Sequence, residues 1–464
     1  VRRARERSYL WVGFMRRRSP AVQGRGRHPA VVIVVGFGAT VVVGTLLLGT
    51  PLATTEGDSS HWLTALFTAT SAVCVTGLVV VDTATHWSTF GEMVIVALIK
   101  VGGLGIMTLA TLIMVIVSGR IGLRTRLSAQ WETKSVAATD LRHVLRRVVV
   151  FSLICEATVA AVLTVRFVTG YGEPVGRAVY LGLFHAVSAF NNAGFALWPD
   201  SLMRFVTDPW ICLTIALAVI VGALGYPVVF ELVRTWWRPG RWSVLTRVTV
   251  GMNGLLLAGG TLAFLATEWR NPATMGPLDD SGRMLAAFFA AVMPRSGGFN
   301  TLDIGQMHSS SWLVTDALMF IGGGSAGTAG GIKVTTFGFL LFIIWSELRG
   351  EHRVNIGHRR LPSATQRQAL SISLLGVILV TLSTWILLVI TPHDLDQVLF
   401  EVVSAFATNG LSTGITADIP LAGHVLLSVL MFIGRIGPLT LGTALALKQR
   451  TRRYELPEEK VILG

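Results

Sequence analysis

Four stretches of this chain combine hydroxyl or amide side chains with a closing glycine and then Phe or Leu. They read Thr70-Ser-Ala-Val-Cys-Val-Thr-Gly77-Leu78, Ser188-Ala-Phe-Asn-Asn-Ala-Gly194-Phe195, Pro294-Arg-Ser-Gly-Gly298-Phe299 and Ser404-Ala-Phe-Ala-Thr-Asn-Gly410-Leu411. Their closing glycines lie about 110 residues apart, the mark of one unit copied four times in a single polypeptide. The apolar stretches around them hold neither paired carboxylates nor a nucleophile–base set, so covalent or acid–base catalysis has no candidate there. What the four loops offer is backbone oxygen. Arranged around one axis, they supply the carbonyl ring with which a filter replaces the water around a cation. On this reading the carbonyls of Val75, Thr76, Asn192, Ala193, Gly297, Thr408 and Asn409 face the axis. Gly77, Gly194, Gly298 and Gly410 permit the backbone geometry that other residues resist.

Such loops need a scaffold, and the composition says which. Only 14% of the 464 residues are charged and 52% are apolar, against about 25% charged for a soluble domain. Apolar runs such as Pro29 to Thr50, Val148 to Val165, Ile211 to Val233 and Leu370 to Ile390 approach the roughly 20 residues that cross a bilayer core. Glycine-ended, non-helical backbone is tolerated at that depth only where it is buried in protein or lines a cavity. The net charge of +13 does not point to nucleic acid. Basic residues concentrate before Arg27, in Arg120–Arg147, Arg234–Arg247 and Arg349–Arg367, and from Lys448 onward. The intervening loops hold acids such as Asp58, Asp82, Asp200, Asp208, Asp279 and Asp418. Basic loops stay cytoplasmic, so both termini and three connecting loops are expected inside. Cys74, Cys155 and Cys212 read as small buried hydrophobes.

The resulting expectation is an all-α integral membrane protein. It has four tandem helix–pore loop–helix repeats around a central pore and eight transmembrane helices. The segments are a cytoplasmic basic stretch over 1–28, repeats over 29–119, 120–240, 241–350 and 351–447, and a cytoplasmic tail over 448–464. Short pore helices are predicted at His61–Val73, Gly176–Asn191, Gly282–Met293 and Leu395–Ala407. Each points its partially negative C-terminal end at the pore centre, which favours a cation there. The second helices are predicted near 88–117, 209–234, 312–347 and 423–447.

Beyond each filter glycine lies a second glycine-rich element: Gly102-Gly-Leu-Gly105, Gly222-Ala-Leu-Gly225, Gly322-Gly-Gly-Ser325 and Gly434-Arg-Ile-Gly437. Small residues allow close helix packing and also mark places where a helix breaks. In the third repeat the run extends through Gly322, Gly323, Gly324, Ser325, Ala326, Gly327, Thr328, Ala329, Gly330 and Gly331, too glycine-rich for a good helix. It reads as a mobile segment beneath the filter. Arg435, at the matching place in the fourth repeat, is a charge near mid-membrane that repels ions, pairs with carbonyls of this segment, or does both. Lys333 follows the segment and either bonds its carbonyls or snorkels inward. Arg295 complements a helix dipole, and Asn191, Asn192, Asn300 and Asn409 brace filter backbone. Lys100, similarly deep, takes no role in this reading. The histidines lack metal-site spacing and no Walker-type loop appears, so no organic cofactor is expected.

Together the stretches 70–78, 190–195, 295–301 and Gly330-Gly-Ile-Lys-Val-Thr-Thr-Phe337 resemble the Trk/Ktr/HKT superfamily of potassium transporters, over about residues 29 to 447. With one apolar span before the first pore loop, the chain resembles Ktr membrane subunits more than Trk ones, which carry two additional N-terminal helices. The resemblance implies K⁺ bound at filter backbone carbonyls with Na⁺ possible, one pore per subunit, and a glycine per repeat at Gly77, Gly194, Gly298 and Gly410. It further implies a gate at Gly322–Gly331 and an arginine below the filter at Arg435. Implied partners are a second copy in a homodimer and a cytosolic RCK-type ring of nucleotide-binding regulatory subunits, with membrane lipid around the chain. Na⁺-stimulated uptake is implied as well. Thr408-Asn409-Gly410 departs from the family pattern, in which Val is more usual than Asn. A sodium-permeable or poorly selective monovalent cation pathway of the same fold is the alternative.

Overall fold

The computed structural model describes residues 29–58, 60–105, 134–351, 353–356 and 359–437. The basic ends 1–28 and 448–464, and the basic stretch 120–133, lie outside the described residues. Among the described residues the regular structure is helical, apart from a two-stranded hairpin pairing β1 (Asn355–Ile356) with β2 (Arg359–Arg360). In chain order the helices are α1 (Pro29–Leu48), α2 (Trp62–Cys74), the single turn α3 (Thr83–His86) and α4 (89–105). There follow α5 (Lys134–Tyr171), α6 (Val175–Phe190), α7 (Pro209–Leu224), α8 (Tyr226–Thr235), α9 (Val244–Glu268), α10 (Asp280–Val292) and α11 (Ser309–Phe320). The last four are α12 (Val334–Leu348), α13 (Ser363–Ile390), α14 (Leu395–Ala407) and α15 (Leu421–Ile436).

Local chemistry sets many of these boundaries. Asp208 accepts hydrogen bonds from the Trp210 and Ile211 amides, and Pro209 opens α7 where no amide is needed. Ser243 caps α9 through the Thr246 amide, and Asp279 caps α10 through the Gly282 amide. The Ser281 hydroxyl and that same amide hold the Asp279 carboxyl below its ordinary range.

Helices α2, α6, α10 and α14 start and end within two residues of the predicted pore helices. They form the buried centre of the molecule, and Phe67, Phe184, Phe190, Phe289, Phe400 and Phe406 are all nearly inaccessible. Around them stand α5, α9 and α13, each long and apolar enough to cross a membrane, with only 22–28% of their most apolar windows buried. Leu46, Leu262, Leu374 and Trp385 stay exposed on the outer helices. A molecule with an apolar outside and a polar, hydrogen-bonded centre takes lipid as its solvent. This is a membrane protein.

Eight uninterrupted spans are not what the described residues present. Helices α7 and α8 bend by 104° at Gly225, so they make at most one broken span. Gly225 has φ 89°, a conformation that glycine alone adopts cheaply, and Pro227 opens the next helix. The predicted helix 312–347 is interrupted between α11 and α12, where residues 321–333 run without regular helix. Helix α15 stops at Ile436 before Gly437, again at φ 89°. The predicted continuations of α4 beyond 105 and of α15 beyond 437 lie outside the described residues.

Candidate functional site

Each short helix delivers its chain into one of the four glycine loops, and the loops repeat an unusual backbone. Val75, Asn192, Ser296 and Thr408 have φ of 55°, 61°, 75° and 48°. Each stands two residues before a loop glycine, and Gly77, Gly194, Gly298 and Gly410 follow at 93°, 70°, 73° and 98°. Left-handed backbone is a genuine outlier for β-branched Val75 and Thr408. Strain of this kind, of order 1–3 kcal/mol per residue, persists only where the surroundings enforce it.

The enforcement is visible. In α2 the amides of Val75 and Thr76 return to the carbonyls of Ala72 and Ser71 at 3.1 and 2.7 Å. In α6 those of Asn192 and Ala193 return to Ala189 and Ser188, and in α14 those of Thr408 and Asn409 return to Ala405 and Ser404. This is the paired closure that ordinarily ends a helix with glycine. Here a side-chain-bearing residue takes the left-handed place and the glycine is kept for two residues later. The serine at the base of each closure also reaches into its loop. Ser71 Oγ accepts from the Gly77 amide and Ser404 Oγ from the Gly410 amide, both at 3.1 Å, while Ser188 Oγ donates to the Phe195 carbonyl at 2.8 Å. The third loop has Val292 at that register. Its Gly297 amide returns to Met293, and Ser296 Oγ donates sideways to the Thr408 carbonyl at 2.8 Å.

The loops close on one another in chain order. A Cβ on Gly77 would sit 2.4 Å from the Ala193 oxygen, one on Gly194 2.7 Å from Gly298 Cα, one on Gly298 2.5 Å from the Asn409 oxygen, and one on Gly410 2.2 Å from the Thr76 oxygen. There is room for glycine only. The carbonyls of Thr76, Ala193 and Asn409, each one residue before its own glycine, thus lie against the neighbouring loop's glycine. All four glycines border one cavity of about 340 Å³, walled by residues that include Asp82, Trp198, Asn300, Ser412 and Thr416. The carbonyl ends of the four short helices converge on this ring and bias it towards positive charge.

Residues 322–331 pack against the ring. The Gly324 and Thr328 amides donate to the Ala223 and Gly222 carbonyls at 2.8 and 3.1 Å. Thr328 Oγ1 donates to Asn192 Oδ1 at 2.6 Å, and the Gly330 amide to Ser296 Oγ at 3.1 Å. Lys333 Nζ bonds the Ala329 carbonyl at 2.5 Å, so it turns onto the segment. Arg435 is 4% exposed and donates to the carbonyls of Thr328 and Gly102, the second at 3.3 Å. Its partners are backbone carbonyls. Of the two readings open from sequence, pairing with the broken segment is therefore the contact seen. Arg295 reaches the Gly322 carbonyl at 3.3 Å, a contact at the start of the same segment.

Three of the asparagines beside the loops donate to backbone carbonyls, though that of Asn192 belongs to α7 and not to a loop. Asn409 Nδ2 donates to Met293 at 2.8 Å, Asn192 to Val219 at 3.3 Å and Asn300 to Leu302 at 2.9 Å. Glu401 and Glu156 are among the buried carboxylates that the sequence pattern did not single out. Glu401 in α14 accepts from Ser412 Oγ, from the Thr413 amide at 3.1 Å and from Thr416 Oγ1 at 2.9 Å, and so holds the cavity wall after Gly410. Glu156 in α5 pairs with Lys100. An acid inside an apolar run is itself a signal of this kind. No grouping of His, Cys, Asp and Glu suited to a bound metal occurs among the described residues.

The profile of the TrkH family, described as cation transport proteins, matches residues 14–454. The chain is 39% identical over 436 residues to the Ktr system potassium uptake protein B of Bacillus subtilis, covering 94% of this chain and 97% of that one. It is 34% identical over 442 residues to the potassium/sodium uptake protein NtpJ of Enterococcus hirae, again covering 94% and 97%. Its fold matches the crystal structure of the potassium transporter TrkH from Vibrio parahaemolyticus with a TM-score of 0.72, at 17% identity over 93% of this chain and 87% of that one. The chain belongs to the TrkH family of cation transport proteins.

Proposed function

We propose that this protein carries K⁺ into the cell through the ring of four glycine loops, with residues 322–331, Lys333 and Arg435 as the gate below it. The ring carries this reading: four left-handed, glycine-closed loops pack closely on one another's glycines, three through a carbonyl, around one cavity. The buried hydroxyls of Thr76 and Thr408 take no hydrogen-bond partner among the described residues, which leaves oxygen for a partly dehydrated cation. K⁺ is the ion named for the relatives above. The membrane potential supplies about 2.3 kcal/mol per charge per 100 mV, and the chain needs no nucleotide hydrolysis of its own.

Arg435 and the segment it holds obstruct this path, sterically and by charge. Na⁺ acts as a stimulating ion on this reading. The four repeats over 29–119, 120–240, 241–350 and 351–447 act as quarters of one pore, with 1–28 and 448–464 cytoplasmic. The stretches around Arg234–Arg247 and Arg349–Arg367 meet at one small apolar cluster of Val248, Val354, Ile356 and Leu361. That basic face is where a cytosolic nucleotide-binding regulatory subunit docks on a homodimer. The test is ⁸⁶Rb⁺ uptake into proteoliposomes, beside growth of a K⁺-uptake-deficient strain at limiting K⁺. Absence of uptake with folded, reconstituted protein and its regulatory subunit would sink the reading.

A second reading, a sodium-permeable pathway of the same fold, is favoured by Asn409 in the fourth loop and by the potassium/sodium uptake named for the Enterococcus relative. Equal inhibition of ⁸⁶Rb⁺ uptake by Na⁺ and K⁺ would select it.

A further inference from the structure

Lys100 and Glu156 form an ion pair inside the apolar part of the molecule, between α4 and α5. The ammonium lies 2.5 and 2.6 Å from the two carboxylate oxygens and 2.8 Å from Ser152 Oγ. Ser152 Oγ in turn donates to Glu156 Oε1 at 3.0 Å. Side-chain exposure is 22% for the lysine and 5% for the glutamate. Desolvating such a pair costs about as much as its attraction returns, so stability alone is a poor reason for it.

The pair has a third member. Asn191 Nδ2 donates to the same Glu156 oxygen at 2.8 Å and to the Val187 carbonyl at 2.9 Å. Asn191 closes α6 and directly precedes Asn192-Ala193-Gly194 of the second loop. Its amide is pressed from the other side by α4, where a Cβ on Gly103 would lie 2.1 Å from Asn191 Oδ1. One residue earlier, the Gly102 carbonyl accepts from Arg435. The arrangement is confined to one quarter. In the register of Gly102, Gly222, Gly322 and Gly434, the residues matching Lys100 in the other three are Ile220, Phe320 and Phe432, and those matching Asn191 are Cys74, Arg295 and Ala407. The fold therefore builds its other quarters without it.

We propose that Lys100, Glu156 and Asn191 are positioning residues that set the second filter loop and thereby the discrimination between K⁺ and Na⁺. The chain of contacts runs from the ion pair through the Asn191 amide to the Asn192 and Ala193 carbonyls, and it fixes α4 in register with that loop. The inference rests on the proposed cation-conducting role of the ring.

The experiment measures Na⁺ competition against ⁸⁶Rb⁺ uptake in proteoliposomes, at matched amounts of monodisperse protein. Removing both charges together in K100M/E156L leaves no unpaired ion, and N191L removes the amide link at similar volume. Each should make Na⁺ about threefold to tenfold more effective as a competitor, part of what one charge-assisted hydrogen bond is worth. The triple variant should be no worse than either, because the three act in series. K100Q/E156Q keeps an amide oxygen for Asn191 and should stay near wild type. Unchanged competition in N191L overturns the proposal even where K100M/E156L does not fold, and additive effects overturn the serial link. Wild-type protein that takes up no ⁸⁶Rb⁺ refutes the function itself, a result distinguishable from either.

Discussion

The glycine loops and the segment 322–331 are both irregular, glycine-rich backbone in the buried centre of a membrane protein, yet they are held in opposite ways. Loops one, two and four are closed by their own helices, through two backbone returns and a serine from the preceding turns. Their shape is local and survives small movements elsewhere. Several of the anchors of 322–331 come from other parts of the chain: Gly222, Ala223, Asn192, Ser296 and Arg435. Its shape therefore depends on where those neighbours stand. The same residue type builds a ring where bonding is local and, on the function proposed above, a displaceable plug where bonding is distant. At about 1 kcal/mol per neutral hydrogen bond, releasing the plug costs little beside reshaping the ring.

The comparison is easiest to break at the ring. Gly77→Ser and Gly410→Ser place a Cβ against the Ala193 and Thr76 oxygens in backbone that resists side chains. Each should reduce discrimination of K⁺ over Na⁺ by about tenfold or more. Unaltered Na⁺ competition with ⁸⁶Rb⁺ uptake in folded variants would remove these residues from the filter. Next comes the plug. Deleting Ala326–Gly330 and, separately, Arg435→Ala should each raise ⁸⁶Rb⁺ flux by about threefold to tenfold, with discrimination retained. Since Arg435 holds the Thr328 carbonyl, the double variant should fall clearly below the product of the two.

Ser296 joins the two regions, donating to the Thr408 carbonyl and accepting from the Gly330 amide. Ser296→Ala should therefore change both readouts, each by about threefold. A change in one alone would show that the regions are not joined there. The smallest effect is expected at Ser404→Ala. It removes one brace of about 1 kcal/mol, so it should lower the melting temperature by a few degrees and leave flux near wild type.

What could be read from the chain follows the same division. Local pattern carried far: the recurrence ending at Gly77, Gly194, Gly298 and Gly410 located the loops, and the same repeat placed α2, α6, α10 and α14 to within two residues. The left-handed places at Val75 and Thr408 were not legible, because a β-branched residue is the last choice for such backbone and only the surrounding ring explains it. Hydropathy alone suggested spans through Gly225 and 322–331, but the glycine content already marked both as places where a helix breaks, and the chain breaks at both. The depth of Arg435 was evident from its place in an apolar run. Its hold on Gly102, and the pairing of Glu156 with Lys100, join residues far apart in sequence, and no periodicity encodes them.

Because all four loops belong to one polypeptide, the ring is free of enforced symmetry. In an assembly of four identical subunits a codon change alters every side of the pore at once. Here it alters one side, and the left-handed positions already differ: valine, asparagine, serine and threonine. Ion preference can thus drift in quarter steps, each small enough to be tolerated before the next. The third side has Val292 in place of the bracing serine, and its Ser296 accepts instead from the Gly330 amide.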